Sequence, residues 1–173
     1  RVATDNSFLE QEKVASHFKG KLGTSEMIDV NHHSFSPEQL TALVLKEAVI
    51  SAEQELGKTV ENVILTVPAG FSTHARAALI RAANMTGVNV VTLVDEPIAA
   101  AISYLKSKEI ADKVKGKILI LDMGAGPTDF IMFGYQDQKI TPIMKDGIVN
   151  LGGNNYTEAL TSYIKEKTNW KVS

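Results

Sequence analysis

Short apolar runs alternate along the first half of this chain with longer segments whose apolar residues recur at helical spacing. Two of the runs cover residues 63–67 and 88–94, and both are rich in β-branched residues. Because these runs are apolar on both faces, they predict strands that are buried on both sides, as in a parallel sheet. The order of helix, strand, helix, strand and helix predicts an α/β layer with right-handed crossovers.

The predicted helices of this half have recognisable ends. The first covers residues 36–57, where Ser36 and Gln39 match a capping box and a glycine supplies a left-handed stop. The second covers residues 72–87 and is capped by its first serine or by the threonine that follows. The third opens at Asp95, with a proline in its first turn.

In the second half of the chain, predicted strands follow one another without helices between them. Strands are predicted at residues 117–122, 130–135 and 139–145, joined by a glycine turn and by a polar stretch, so they predict a β-meander. Gly152 and Gly153 precede a last amphipathic helix. The apolar side of that helix consists of Tyr156, Ala159, Leu160, Tyr163 and Ile164.

The composition limits the partners of the protein. Among 173 residues, 18 are Lys or Arg and 20 are Asp or Glu, which gives a formal charge of -2. This balance gives no electrostatic support to binding of nucleic acid or of an anionic membrane. The absence of cysteine excludes disulfides, thiolate catalysis and thiolate metal sites. No apolar run approaches the ~20 residues that span a bilayer, so no membrane segment is expected.

The segment between the first two strands of the predicted meander has the chemistry of a metal-phosphate site. Asp122 ends one predicted strand, glycines follow, and Asp129 begins the next strand. Glycines allow backbone N–H groups to approach phosphates, and carboxylates hold Mg²⁺ or its waters. Taken alone, the segment fits a plain β-hairpin with exposed aspartates better, because short Gly/Asp turns are common.

A second pair of acids, Asp95 and Glu96, stands at the end of another predicted strand, where helix capping alone would account for them. Taken together, however, these segments resemble the Hsp70 family in order and spacing, from about residue 35 to residue 170. The matching motifs are Val67-Pro68-Ala69-Gly70-Phe71, Arg76, Asp95-Glu96-Pro97 with Ala99-Ala100-Ala101, the loop from Asp122 to Asp129, and Leu151-Gly152-Gly153.

The resemblance implies the ribonuclease-H-like actin/Hsp70 ATPase fold, in which two lobes clasp a nucleotide. Part of that fold is expected here: residues 36–110 as the second half of lobe I and residues 116–173 as the start of lobe II with the phosphate-2 loop, after an irregular lead-in at residues 1–35. The family's first phosphate hairpin and catalytic lysine are expected upstream, and its adenosine pocket downstream. Without that hairpin, the apolar edge at residues 63–67 would be exposed.

The resemblance also implies roles for individual residues. Glu96 and Asp122 are the expected catalytic acids, one ordering metal-bound water and the other lying beside Mg²⁺ and the attacking water. Asp129 resembles the second acid of the loop, which is associated with a monovalent cation, K⁺. Pro68 and Arg76 match positions that relay the nucleotide state to a substrate-binding domain. The residues expected at the phosphates of ATP or ADP are Gly124, Ala125, Gly126, Pro127, Thr128, Gly152 and Gly153.

Several residues depart from the pattern of the family. Pro127 replaces a threonine beside the phosphates and has neither a hydroxyl nor a backbone N–H, which questions hydrolysis more than binding. Gly70 replaces a tyrosine, Asp95 replaces an asparagine, and Asn154 with Asn155 replaces an acidic pair. These departures indicate a divergent member.

Two functions remain open at this point. The first is an ATP-driven chaperone of protein folding and the stress response, served by a J-domain co-chaperone and a nucleotide-exchange factor and acting on unfolded client polypeptides. The second is a non-catalytic Hsp70-like co-chaperone or regulator. Another actin-like ATPase, such as a sugar kinase or a filament protein, matches the motifs less well. The expected compartment is the cytoplasm, with the ER lumen as the alternative.

Overall fold

The computed structural model describes residues 14–106, 115–137, 139–148 and 151–168. The protein is α/β, as the sequence predicts, and it divides into two compact units. Unit 1 comprises residues 1–65 and 71–93, and unit 2 comprises residues 66–70 and 94–173. The lobe boundaries implied by the family resemblance, 36–110 and 116–173, remain a prediction.

Residues 18–35 of unit 1 contain more secondary structure than the sequence predicts. A 3₁₀ turn at Phe18–Lys21 precedes two short antiparallel strands, β1 (Ile28–Val30) and β2 (His33–Phe35), joined by a turn in which Asn31 and His32 both have positive φ. The prediction of an irregular segment over residues 1–35 is therefore wrong for residues 28–35. Each strand has only three residues, which is too short for alternation to be visible in the sequence.

Two helices pack together in unit 1, α1 (Pro37–Leu56) and α2 (Thr73–Asn84). The predicted capping box is confirmed, since Gln39 N donates to Ser36 Oγ at 3.2 Å and Ser36 N donates to Gln39 Oε1 at 2.8 Å. Gly57 ends α1 with φ 62°, and Ser72 caps α2. The buried apolar residues of the two helices are Leu40, Ala42, Ala75, Ala78, Leu79, Ala82 and Ala83.

Strands β3 (Asn62–Val67) and β4 (Asn89–Asp95) pair with each other in a two-stranded sheet. Both were predicted to be buried on both faces, and that prediction is wrong. The side chains of Ile64 and Val91 are 63% and 60% exposed. Apolar residues on both faces of a strand indicate that both faces can be buried against other layers. The described residues supply a layer on only one face of this sheet.

In unit 2, helix α3 (Glu96–Leu105) packs on a three-stranded antiparallel sheet. Its strands are β5 (Gly116–Met123), β6 (Thr128–Gln136) and β7 (Lys139–Ile148), in that order, so the predicted meander is confirmed. The core lies between helix and sheet and consists of Ala101, Leu105, Ile131, Phe133 and Tyr135, flanked by Ile98, Ile118, Ile120 and Ile140.

The last helix, α4 (Gly153–Thr168), is present as predicted, yet its apolar side is largely exposed. Tyr156, Leu160 and Tyr163 are 53%, 59% and 58% accessible. The charged composition of residues 106–116 predicts a short connecting segment, and most of it lies outside the described residues. Trp170, which the sequence predicts to pack in a core or between lobes, also lies outside them. No helix in the described part of the chain is both long and apolar enough to cross a membrane.

Candidate nucleotide site

Strand alternation places two of the predicted site acids side by side. Asp122 at the end of β5 pairs in register with Asp129 at the start of β6, and Asp129 pairs with Gly147 on β7. Counting forward along β6 in steps of two from Asp129 leads to Ile131 and Phe133, which are core residues beneath α3. Asp122 and Asp129 therefore lie on the helix-covered face of the sheet.

Glu96 is the first residue of α3, the helix that covers that face of the sheet. Its charge acts on the carboxylate of Asp129. Burial raises the pKa of Asp129 above its usual range, the hydrogen bond from Gly70 opposes the shift, and the negative charges of Asp122 and Glu96 raise it further. Three carboxylates that come from three separate elements thus share one region of unit 2, and the charges of Asp122 and Glu96 disfavour the ionisation of Asp129.

Asp129 is the most enclosed of the three acids, with only 2% of its surface exposed. Its Oδ1 accepts a hydrogen bond of 3.2 Å from Gly70 N, and the backbone N–H of Ala69 also donates to this carboxylate. On the other side, a Cβ at Gly147 would fall well inside van der Waals distance of Asp129 Oδ1. The carboxylate therefore lies between the backbone turn at Ala69 and Gly70 and the position on β7 where Gly147 has no side chain.

Asp95 is the N-cap residue of α3, as predicted, but its side chain makes no capping hydrogen bond. Instead, Asp95 Oδ2 lies 3.4 Å from Lys145 Nζ on β7. Lys145 pairs in register with Ile131, so its side chain lies on the face of the sheet that α3 covers. From this position it reaches Asp95 at the start of α3. This pair places one positive charge next to the acidic region.

The loop that joins β5 to β6 is a tight hairpin, as the plainer interpretation of the sequence predicted, but the aspartates are not both exposed, since Asp129 is buried. Gly124 N donates to the Pro127 carbonyl oxygen at 3.0 Å, so this amide is not available to a phosphate. Among the described residues, the amides of Ala125 and Gly126 donate to no protein acceptor. Two of the predicted phosphate-binding positions thus retain unused donors, and the third is occupied inside the loop.

The first turn of α4 is attached to the same loop. Gly153 N donates to the Gly124 carbonyl at 3.0 Å and Asn154 N donates to the Ala125 carbonyl at 2.8 Å. Gly152 N donates to Asn155 Oδ1 at 3.0 Å. The structure therefore brings Gly152 and Gly153 to the loop, as predicted, although their amides already have protein acceptors. Contact of these glycines with a phosphate remains a prediction.

The two predicted relay residues lie in different units. Pro68 is buried directly after β3, two residues before the amide that binds Asp129. Arg76 lies in α2, where its Nε donates to the Phe71 carbonyl oxygen at 3.1 Å. Their role in relaying the nucleotide state remains a prediction.

The acids do not form a ready-made inner coordination sphere. Within the described ranges, no group of three or more His, Cys, Asp or Glu side chains is arranged to hold a metal ion. Mg²⁺, however, keeps several waters and binds through one or two carboxylates together with phosphate oxygens. Carboxylates beside two unused amides fit such a hydrated ion with a phosphate. A cavity of about 490 Å³ at the opposite end of the sheet, lined by Lys117, Tyr135 and Lys139, contains none of these residues.

An α/β domain in which strand-end acids surround a glycine-containing hairpin has the features of a metal- and phosphate-binding ATPase domain. The comparison with protein families agrees: the HSP70 family model, described as Hsp70 protein, matches residues 3–172. The chain therefore belongs to the Hsp70 family, and the match is consistent with a segment of an Hsp70 nucleotide-binding domain. Domains of this family have the actin-like ATPase fold, bind ATP or ADP with Mg²⁺, and serve chaperones. This favours Hsp70 over a sugar kinase or a filament protein.

Some residues of the site could not be identified from their types alone. Gly147 follows an aspartate in what looks like an ordinary strand, and only the register with Asp129 shows why a side chain would not fit there. Thr128 was expected at the phosphates, whereas its hydroxyl donates a hydrogen bond to the Leu151 carbonyl oxygen.

Proposed function

We propose that this chain contributes the nucleotide-responsive segment of an Hsp70-type chaperone ATPase. The observation that carries the proposal is the convergence of Glu96, Asp122 and Asp129 on one face of unit 2, beside the loop with unused amides at Ala125 and Gly126. In an Hsp70 family member, this combination supports an ATP-phosphate site with a hydrated Mg²⁺. The proposal includes the ribonuclease-H-like fold, present here as parts of both lobes.

The acids would bind the metal and its water molecules, and the loop amides would bind the phosphate. Asp122 and Glu96, which are less enclosed than Asp129, would hold and orient water molecules around the metal and the attacking water. The amides of Ala125 and Gly126 would donate to phosphate oxygens, where fixed donors are effective because they need no reorganisation. Bound Mg²⁺ would supply positive charge that offsets the repulsion among the carboxylates.

Asp129 has a different environment from the other two acids. It would hold the turn after Pro68 through the amides of Ala69 and Gly70, and K⁺ would be a further partner of its carboxylate. Because this turn follows Pro68 directly, Asp129 connects the phosphate loop to one of the proposed relay positions. Arg76 would be the second relay position.

The whole protein would use the nucleotide state to control a distant peptide-binding domain. Its partners would be a J-domain co-chaperone, a nucleotide-exchange factor and unfolded client polypeptides, in the cytoplasm or, alternatively, in the ER lumen. Protein folding under stress is the process that this set of partners serves.

A second function is favoured by one specific observation at the loop. Pro127 has no N–H and no hydroxyl, and the hydroxyl of its neighbour Thr128 is already donated to the Leu151 carbonyl. The loop thus offers no side-chain hydroxyl to the γ-phosphate. This supports a regulator or co-chaperone that binds ATP and turns it over slowly.

The test is Mg-ATP binding by calorimetry together with single-turnover hydrolysis, for the full-length protein and for Asp122→Asn. We expect the substitution to lower the rate of hydrolysis by about a hundredfold, as removal of a positioned catalytic group does. Asp137→Asn, in the exposed β6–β7 turn, is the matched control and should behave as the wild type. A wild-type protein that does not bind ATP would overturn the proposal, as would equal rates for the two variants.

A further inference from the structure

Thr128 occupies an unusual position at the phosphate loop. It is the first residue of β6, is only 5% exposed, and its Oγ1 donates a hydrogen bond to the Leu151 carbonyl oxygen at the entrance to α4. A buried hydroxyl that donates to a carbonyl has no second proton to offer a ligand. Thr128 therefore does not restore the hydroxyl that Pro127 lacks, although it stands next to it.

The bond from Thr128 belongs to a larger attachment between the loop and α4. Two amides at the start of the helix, Gly153 N and Asn154 N, donate to the carbonyl oxygens of Gly124 and Ala125. At Gly152, a Cβ would lie 2.5 Å from the Gly126 carbonyl oxygen and 2.7 Å from the Gly124 carbonyl oxygen, so that only glycine fits against the loop. The carbonyl side of the loop is thus held by the helix.

This attachment explains why the remaining amides stay available. The carbonyl groups of Gly124 and Ala125 accept bonds from α4, whereas the N–H groups of Ala125 and Gly126 have no protein acceptor in the described part of the chain. A fixed loop with unused donors needs little rearrangement when an anion binds, which favours affinity.

We propose that Thr128 is a positioning residue, which holds the phosphate loop against the first turn of α4 so that the amides of Ala125 and Gly126 are presented to the nucleotide phosphates. The role rests on the proposed function, since it concerns the same site. Thr128 acts through the loop backbone and does not itself contact the nucleotide.

The first arm of the test needs no nucleotide. Hydrogen exchange is measured at the amides of Gly153 and Asn154 in the wild type, in Thr128→Val, which has the same shape without a hydroxyl, and in Thr128→Ser, which keeps the hydroxyl. We expect exchange in Thr128→Val to be faster by about tenfold, which corresponds to ~1.4 kcal/mol, and to be slow again in Thr128→Ser. Thr161→Val, which removes a hydroxyl bonded to the Thr157 carbonyl within α4, is the control and should leave both amides protected.

The second arm measures the Mg-ATP dissociation constant of the same substitutions in the full-length protein, well below the melting temperature of each variant. Affinity should fall by about tenfold in Thr128→Val and return in Thr128→Ser, with no change in Thr161→Val. Unchanged exchange in Thr128→Val would overturn the attachment. Faster exchange with unchanged affinity would show that the attachment is structural only, and would overturn the positioning role while leaving the proposed function intact. A wild type that does not bind ATP would overturn the proposed function, and the positioning role with it.

Discussion

Pro127 and Thr128 are adjacent residues that limit the phosphate loop in different ways. Pro127 contributes only its carbonyl oxygen, which closes the hairpin by accepting from Gly124 N. Thr128 contributes its hydroxyl to the backbone at Leu151. The loop is thus well fixed but poor in donors, because just two amides in the described loop are unused. Ground-state binding depends on those two amides, whereas the transition state gains from each additional donor near the transferred phosphate.

Replacing Pro127 is therefore expected to change turnover more than affinity. Pro127→Thr adds a hydroxyl and an N–H and keeps the carbonyl that closes the hairpin, so single-turnover hydrolysis should accelerate by up to about a hundredfold with little change in ATP affinity. Pro127→Val restores the N–H without the hydroxyl and separates the two contributions. A wild-type rate equal to that of ordinary family members, unchanged in Pro127→Thr, would remove the main support for the slow regulator.

Asp129 should give the protein a pH-dependent stability of a defined sign. Its pKa is raised in the folded state, first of all by burial, so the folded protein binds a proton at a higher pH than the unfolded chain does. Its contribution to stability is fully present below the usual aspartate range and is lost as the pH rises through the raised folded value. Relative to Asp129→Asn, the wild type should therefore gain free energy of unfolding as the pH falls through this window.

Urea unfolding of both proteins at a series of pH values would measure this difference. Asp137→Asn is again a suitable control, because it removes an exposed aspartate in the turn between β6 and β7. A stability difference between the wild type and Asp129→Asn that is constant over the whole range would contradict the expected titration.

At the scale of the elements, the pairing of β6 with β7 depends on a missing side chain. The carboxylate of Asp129 occupies the space that a Cβ on Gly147 would need. Gly134, on the same pair of strands, offers a matched comparison, since its Cβ would meet Ile143 Cδ1 and the Thr141 carbonyl at 3.9 Å, an ordinary contact. A side chain at Gly147 would therefore clash with Asp129, whereas the position of Gly134 has room for a Cβ.

We expect Gly147→Ala to lower the free energy of unfolding by about 1–3 kcal/mol, the usual cost of an overpacked site. Gly134→Ala should be neutral or slightly stabilising, because alanine loses less backbone freedom on folding than glycine does. Urea unfolding measures both variants. Equal effects of the two substitutions would show that the surroundings of Asp129 are not rigid.

The ends of the elements were the most predictable part of the fold. Ser36 with Gln39, Gly57 and Ser72 each act through bonds to residues a few positions away, so the sequence contains both partners of the interaction. The strands of the meander were likewise predictable from their composition and turns. Strands β1 and β2 were missed because three-residue strands carry too little periodicity.

The candidate site was predictable only in the identity of its residues. Motif resemblance selected Glu96, Asp122 and Asp129, and strand register then placed two of them together. Nothing local to Asp129 indicates that Gly70, 59 positions away, would donate to it. The partner of Thr128 was hidden for the same reason, because the Leu151 carbonyl approaches it only when α4 packs on the loop.

At the scale of the whole molecule, each unit leaves apolar surface uncovered by the described residues. In unit 1 this surface includes Ile64, and in unit 2 it includes Leu119 and Leu121, which are 59% and 62% exposed on the face of the sheet opposite α3. A sheet that is apolar on both faces is stable when a second layer covers the uncovered face.

Residues 1–173 should bind nucleotide more weakly than a complete Hsp70 nucleotide-binding domain does. The described site offers two amides and three carboxylates, and the family resemblance predicts that a complete site also needs a further phosphate hairpin and an adenosine pocket. A site that relies on closure around both ends of a nucleotide should forfeit several kcal/mol without those parts, at ~1.4 kcal/mol for each tenfold in affinity. We expect isothermal calorimetry to detect no tight Mg-ATP binding by residues 1–173, with the full-length protein as the control and circular dichroism confirming that the shorter chain is folded. Submicromolar affinity in residues 1–173 would mean that the two amides and the acids of unit 2 form a self-contained site.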